Sequence, residues 1–291
     1  MRWLDRLLGR DTPAVDVEAR MAEAYDRAAK GEHAAALDIW AELAQAGVPR
    51  AQNNVGACFA EGMGVERDLA LARRWLVLAA GNGDPVGQRN LAALHFRGED
   101  RPADFAEAAR LYRAAAEQGD GPAQDMLSWM LLEGEVVPRD PPEARRWAEA
   151  AAKQGIAAAM TRMGMLYHDA IGVPRDPAEA ARWWRRAAAR GDADGQAMLG
   201  AVLMTGAGIA ADPMEALVWL LRAQAGGSAL AAPFLPAARS ALDAAGLSEA
   251  ARRAAAPLPD PGPLDLAAPE APAGPEALAG PEPLAGPEAR P

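Results

Sequence analysis

The chain has 291 residues, a hydrophobic fraction of 51% and a formal net charge of −10, with aromatic residues at only 5%. Much of the apolar content is alanine, which suits close-packed helices rather than strands. An acidic chain without a basic block is a poor partner for nucleic-acid phosphates, the single cysteine (Cys58) makes no internal disulfide, and no run of roughly 18 apolar residues spans a membrane.

Residues 1–16 hold Trp3, Leu4, Leu7 and Leu8 flanked by Arg2, Arg6 and Arg10. They lack the continuous apolar core of a secretory leader, so a cytoplasmic protein is expected. The pattern is that of a short amphipathic helix with three competing fates. These are weak contact with an anionic membrane, docking on the first helical unit, or disorder. Residues 17–46 then read as a divergent first helix pair, with a short turn at Gly31.

From Gly47 the sequence becomes periodic. Glycines at 47, 83, 119, 155, 191 and 227 are each 36 residues apart. Small residues follow in one register (Ala51, Gly87, Ala123, Ala159, Gly195), then a large residue (Phe59, His95, Leu131, Tyr167, Leu203). This spacing puts the apolar and small residues on one face of a first helix of about four turns. A turn glycine with positive φ ends it. Aspartates in register (Asp68, Asp104, Asp140, Asp176, Asp212) cap a second helix. Pro follows three of them, and Glu107, Glu143, Glu179 and Glu215 complete a capping box. Second-helix Ala and Trp (Trp75, Trp147, Trp183, Trp219) wedge between neighbours.

Within the fifth repeat, "MTGAGIAADP" taken alone has the outline of a dinucleotide-binding turn. Its equivalents "EGMGVERD" and "HDAIGVPRD" occur in other repeats, which rejects a phosphate loop. A hairpin of this kind cannot bury its apolar face alone, so the units stack into a solenoid. The expected organisation is thus five repeats over 47–227, C-terminal capping helices over 228–256, and an acidic Pro-rich tail over 257–291. The tail, with "AGPE" three times, is expected to be disordered.

The pattern Ala-x3-Leu-Gly-x2-Tyr-x2-Gly-x-Gly-Val-x2-Asp-x3-Ala-x2-Trp-x3-Ala-Ala resembles the Sel-1-like repeat, a relative of the tetratricopeptide repeat. The best copy, Ala159 to Ala188, matches at Met163, Gly164, Tyr167, Gly172, Val173, Asp176, Ala180, Trp183, Ala187 and Ala188, with Ala170 in place of the first turn Gly. The second repeat departs most, with His95 in the Tyr slot and Asp100 for the second Gly. The resemblance implies an all-α, right-handed superhelical solenoid of stacked helix hairpins whose concave face holds proteins or peptides. It further implies an adaptor without an activity of its own, and the alanine- and arginine-rich, lysine-poor composition has a bacterial flavour. A secreted, cysteine-rich branch of the family has been linked with β-lactam binding. This chain lacks those cysteine pairs and any Ser-x-x-Lys, which weighs against the hydrolase alternative.

The side of each first helix opposite the buried positions is expected to line the inner surface. Trp129, Met165, Phe96 and Met204 fall there as apolar anchors, and Asn53, Arg89, Asp125 and His168 as polar contacts. Apolar residues on a solvent-facing strip mark an interaction site, and the competing reading is that curvature buries them against adjacent units. The second-helix arginines (among them Arg73, Arg110, Arg113, Arg146 and Arg182) offer an anion-binding ridge. The three-apart Glu–Arg pairs instead favour a solvated helix face. Three scattered histidines give no metal-ligand spacing. No cofactor and no catalytic cluster is expected, and Cys58 reads as a packing residue.

Overall fold

A computed structural model describes residues 16–262. The expected amphipathic segment at residues 1–10 and the tail from 263 to 291 lie outside the described residues. The described residues form fourteen α-helices and one 3-10 turn. An opening pair, α1 (Val17–Ala29) and α2 (His33–Gln45), precedes five hairpins. These are α3 (Pro49–Glu61) with α4 (Leu69–Gly81), α5 (Pro85–Arg97) with α6 (Phe105–Glu117), α7 (Gly121–Glu133) with α8 (Pro141–Lys153), α9 (Ala157–His168) with α10 (Pro177–Ala189), and α11 (Ala193–Thr205) with α12 (Pro213–Ala225). The C-terminal cap is a 3-10 turn (Ala229–Ala231), the short α13 (Leu235–Ser240) and α14 (Ala244–Ala255). No described helix is long and apolar enough to cross a membrane.

Every second helix begins on its expected aspartate. Asp68, Asp104, Asp140, Asp176 and Asp212 each accept from the backbone N–H three residues on, at 2.8–3.0 Å, a bond worth about 1 kcal/mol in such caps. The reciprocal half of the capping box is not made. The N–H of each capping Asp donates instead to the carbonyl of the large first-helix residue, as in Asp140 N to Leu131 O at 3.0 Å and Asp176 N to Tyr167 O at 2.9 Å. That bond closes the hairpin turn and leaves the glutamates for arginine. Glu107 takes Arg110, Glu179 takes Arg182, and Glu143 takes Arg113, Arg146 and the Trp147 indole N–H.

Helices within a hairpin approach through a missing side chain. A Cβ on Gly164 would lie 2.3 Å from Trp184 Nε1, and on Gly56 or Gly200 2.7 Å from Leu76 or Leu220. Where the residue is Ala92 or Ser128, the residues in register with those leucines are Tyr112 and Ala148, all four buried. Trp184 is fully buried and donates to Thr161 O at 3.1 Å. It, rather than the recurrent Trp of the register, fills the most space in the core. Trp75, Trp147 and Trp219 are only partly buried.

Successive hairpins are tied by a polar ladder. Gln52, Gln124 and Gln196 donate to the carbonyls of Ala44, Ala116 and Ala188 at the end of the preceding second helix, which also accept from the N–H groups of the turn glycines Gly47, Gly119 and Gly191. Gln52, Gln88 and Gln124 also accept from Asn82, Gln118 and Gln154 at the end of the second helix of their own repeat. First helices of neighbouring units touch (α3 with α5, α9 with α11), whereas second helices of neighbouring units do not approach as closely. The first-helix layer therefore lies on the inside of the curve.

Four first helices end on glycines at φ 64–74° (Gly62, Gly98, Gly134, Gly206), and the fourth repeat places Ala170 at φ 57° in that register. An L side chain is disfavoured there, while Gly adds unfolded-state entropy that offsets part of the relief. Ala170→Gly is expected to raise unfolding free energy by about 0.5–1 kcal/mol, measured by urea denaturation with an unchanged slope.

Candidate functional site

The eight candidate residues separate once their surroundings are known. Asn53 is only 3% exposed, and its Oδ1 accepts from Asn90 Nδ2 at 2.8 Å, so it belongs to the contact between α3 and α5. Met204 is partly buried between the last two core clusters, because α12 and the C-terminal cap pack over its end of α11. Asn53 is therefore not a surface contact, whereas Met204 is partly covered and lies away from the other candidates. Arg89 pairs with Asp120, Asp125 pairs with Arg162 at 3.1 Å, and His168 Nδ1 meets Asp169 at 2.6 Å with its ring beside Trp184. These polar groups already have partners within the chain.

Phe96, Trp129 and Met165 remain. Phe96 stacks edge-to-face on Trp129 at 5.8 Å and on Phe105 at 5.3 Å. The three rings form the apolar wall of a cleft of about 660 Å³ between the second and third repeats, completed by Arg97, Glu99, Glu133, Glu135 and Val136. Trp129 also borders a shallower depression of about 250 Å³ that holds Met165, Thr161 and Arg162. Met165 is 44% exposed and Phe105 45%. The first-helix surface is thus neither a uniform polar strip nor fully covered by curvature: its apolar residues converge on one place.

Two departures from the repeat explain that convergence. In repeats one, four and five a second turn glycine (Gly64, Gly172, Gly208) packs backbone-to-backbone on the start of the preceding second helix. There a Cβ would lie 2.5 Å from Ala34 N or 2.2 Å from Pro177 O. Val136 takes that place in the third repeat, where so close a seat is closed to a side chain. The start of the preceding second helix is Phe105, where three other repeats have proline. The cleft opens between Val136 and Phe105. Phe105 was missed as a candidate because its register is a helix start, not the inner face. The signal available in the sequence was the replacement of Pro by Phe at that register.

A second cluster looks chemical at first sight. His95, Arg73 and Asp100 meet between repeats one and two: Arg73 binds Asp100 at 2.8 Å through Nε, and its Nη1 lies 3.2 Å from His95 Nε2. Burial and the Arg73 cation both push the His95 pKa down, so the neutral ring turns its lone pair to the guanidinium. The Arg73 hydrogen bonds hold Asp100 below the usual carboxylate range. Each group is consumed by another, which makes a pin between repeats rather than an acid–base pair. It also accounts for the His95 and Asp100 departures. Cys58 is buried and its thiol is pushed up to about 11 by desolvation, the state of a packing residue. No three His, Cys, Asp or Glu side chains among the described residues are grouped to hold a metal. Of the arginine ridge, Arg73, Arg110, Arg113, Arg145, Arg146 and Arg182 are all paired with carboxylates.

Arg73 and Asp100 side chains are 6% and 12% exposed. Asp100→Ala leaves a buried guanidinium unpaired and is expected to cost about 3 kcal/mol, measured by urea denaturation. Because Asp100 has a depressed pKa in the folded state, its stabilisation is complete above the ordinary carboxylate value. It is lost as pH falls through the depressed one, below about 4. The variant is expected to lack that component of acid sensitivity.

The Sel1 repeat family model matches five consecutive copies, at residues 49–84, 85–120, 121–156, 157–192 and 193–228, two residues out of phase with the glycine frame. Among solved structures, a Sel1 repeat protein from Oxalobacter formigenes is similar at 24% identity and a TM-score of 0.71, over 81% of this chain and 96% of that one. The protective antigen c5321 of uropathogenic Escherichia coli, described as displaying an SLR fold, is similar at 22% identity and a TM-score of 0.56, over 82% of this chain and 60% of that one. No curated relative matches the sequence. With five matched copies covering more than half its length, the chain belongs to the Sel1 repeat family and is an α-solenoid.

Proposed function

We propose that the protein is a non-enzymatic adaptor that holds a protein or peptide partner on its first-helix surface, with the Phe96–Phe105–Trp129 cleft as the anchoring point. The observation that carries this is the convergence of three aromatic rings, none prescribed by the repeat, around an open apolar cleft. Repeats one, two and five have Ala57, Ala93 and Ala201 where the third has Trp129, so packing does not require the indole. Tryptophan is enriched among the residues that carry most of the energy of a binding surface. Sel1 repeat membership supports a scaffold role in general terms. Met165, in the adjoining depression, extends the surface toward the fourth repeat and supplies adaptable contact area.

The test is affinity capture from native lysate with the full chain beside Trp129→Ala, identified by mass spectrometry and followed by titration of the recovered partner. A partner whose affinity falls roughly 30-fold or more in a still-helical variant supports the cleft as anchor. Partners that bind both proteins equally move recognition elsewhere on the array, and a failure to recover any partner counts against the adaptor reading.

A further inference from the structure

We infer that the cleft selects a cationic peptide segment, one that carries Arg or Lys beside a large aliphatic or aromatic side chain. This rests on the reading of the cleft as the recognition site and adds the chemistry of its occupant. The walls are aromatic, whereas the rim is carboxylate: Glu99, Glu133 and Glu135 face one rim arginine, Arg97. Glu99 is already engaged by Arg67 and by Arg97. Glu133 and Glu135 make no ion pair with any described residue. Glu61, Glu66 and Glu117 are likewise without an ion pair, so what sets Glu133 and Glu135 apart is that both stand on the rim of one aromatic cleft.

The repeat does not require these two charges. The same two registers hold Glu61 and Met63, Arg97 and Glu99, Asp169 and Ile171, and Thr205 and Ala207 in the other units, so only the third repeat places carboxylates at both. An occupant that covers the aromatic wall also strips water from the rim. Covering Glu133 and Glu135 with a neutral or acidic segment leaves two carboxylates desolvated without compensation. A guanidinium or ammonium group removes that penalty and gains from the faces of Trp129 and Phe96. The rim therefore discriminates by repulsion as well as attraction. Its charge also disfavours the chain's own acidic tail, where Asp260, Asp265, Glu270, Glu276, Glu282 and Glu288 meet only Arg290.

The experiment is selection of a random dodecapeptide display library on the immobilised full-length protein. Enriched peptides are then titrated by fluorescence polarisation at low and high salt against wild type, Trp129→Ala and the double variant Glu133→Lys/Glu135→Lys, each checked for helicity by circular dichroism. Enriched sequences are expected to pair Arg or Lys with Trp, Phe or Leu, and to bind more weakly at high salt. They should lose roughly tenfold or more in affinity to the double lysine variant, and as much to Trp129→Ala. Enrichment of neutral or acidic sequences overturns the inference, and so does affinity lost in Trp129→Ala but unchanged in the double variant; both leave the cleft standing as a recognition site. Failure to enrich any peptide that depends on Trp129 overturns both readings.

Discussion

The hairpins depend on a small residue at one point: glycine in repeats one, four and five, and Ala92 or Ser128 in the other two. At Gly56, Gly164 and Gly200 the first helix lies so close to the second that an added Cβ would overlap Leu76, Trp184 or Leu220. That approach lets small alanines bury completely and still make a dense core, with Ala72, Ala108, Ala144, Ala180 and Ala216 all at 0% exposure. It also brings the end of each first helix to the start of the second, where the capping Asp N–H closes the turn on a first-helix carbonyl. The aspartate side chain is then free to cap, and the glutamate three residues on is free to hold arginine. Stacking follows from the same geometry, because the last carbonyls of one second helix face the glutamines of the next first helix.

A fold this repetitive leaves few positions free, and that makes its departures informative. The His95–Arg73–Asp100 departure is absorbed in full by structure: three polar groups satisfy each other between two repeats. The Phe105, Trp129 and Val136 departures are not absorbed. They leave an open cleft where other repeats seat a turn glycine against a helix start. The difference between the two sets is hydrogen-bond and packing completeness, and it separates a structural substitution from one kept on the surface.

The period, the hairpin, the capping aspartates and the turn glycines were legible in the sequence because each is a local requirement of backbone geometry repeated at fixed spacing. Gln52, Gln88, Gln124 and Gln196 stood in one register and were readable as a ladder by the same logic, although glutamine gives no strong local signal. Helix periodicity assigned Asn53 and Met204 to the inner face without saying what covers that face, which buries Asn53 and half-buries Met204. The first is covered by α5 and the second by α12 and the terminal cap. Phe96 and Trp129 were legible as apolar residues on the wrong side of a helix. Their partner Phe105 was not, because it enters from the next helix start, a contact set by how the turn is seated rather than by any period.

Placement of the cleft between the second and third repeats has an energetic consequence. In a stacked array each unit is stabilised by its neighbours, so the interior units open less readily than the terminal ones. The cleft has the α1–α4 units on one side and the α9–α14 units on the other. Its rings are carried on helices held at both ends by capping bonds, with Asp104 fixing the start of α6 and Asp120 that of α7. A surface built this way does not have to be ordered when a partner arrives, and ordering costs of about 0.5–1.5 kcal/mol per immobilised side chain are correspondingly reduced. Edge-to-face contacts hold Phe96 between Phe105 and Trp129 before binding. On the proposed reading, recognition rests on the fit of one apolar group and the sign of the charge beside it, with the solenoid as the frame.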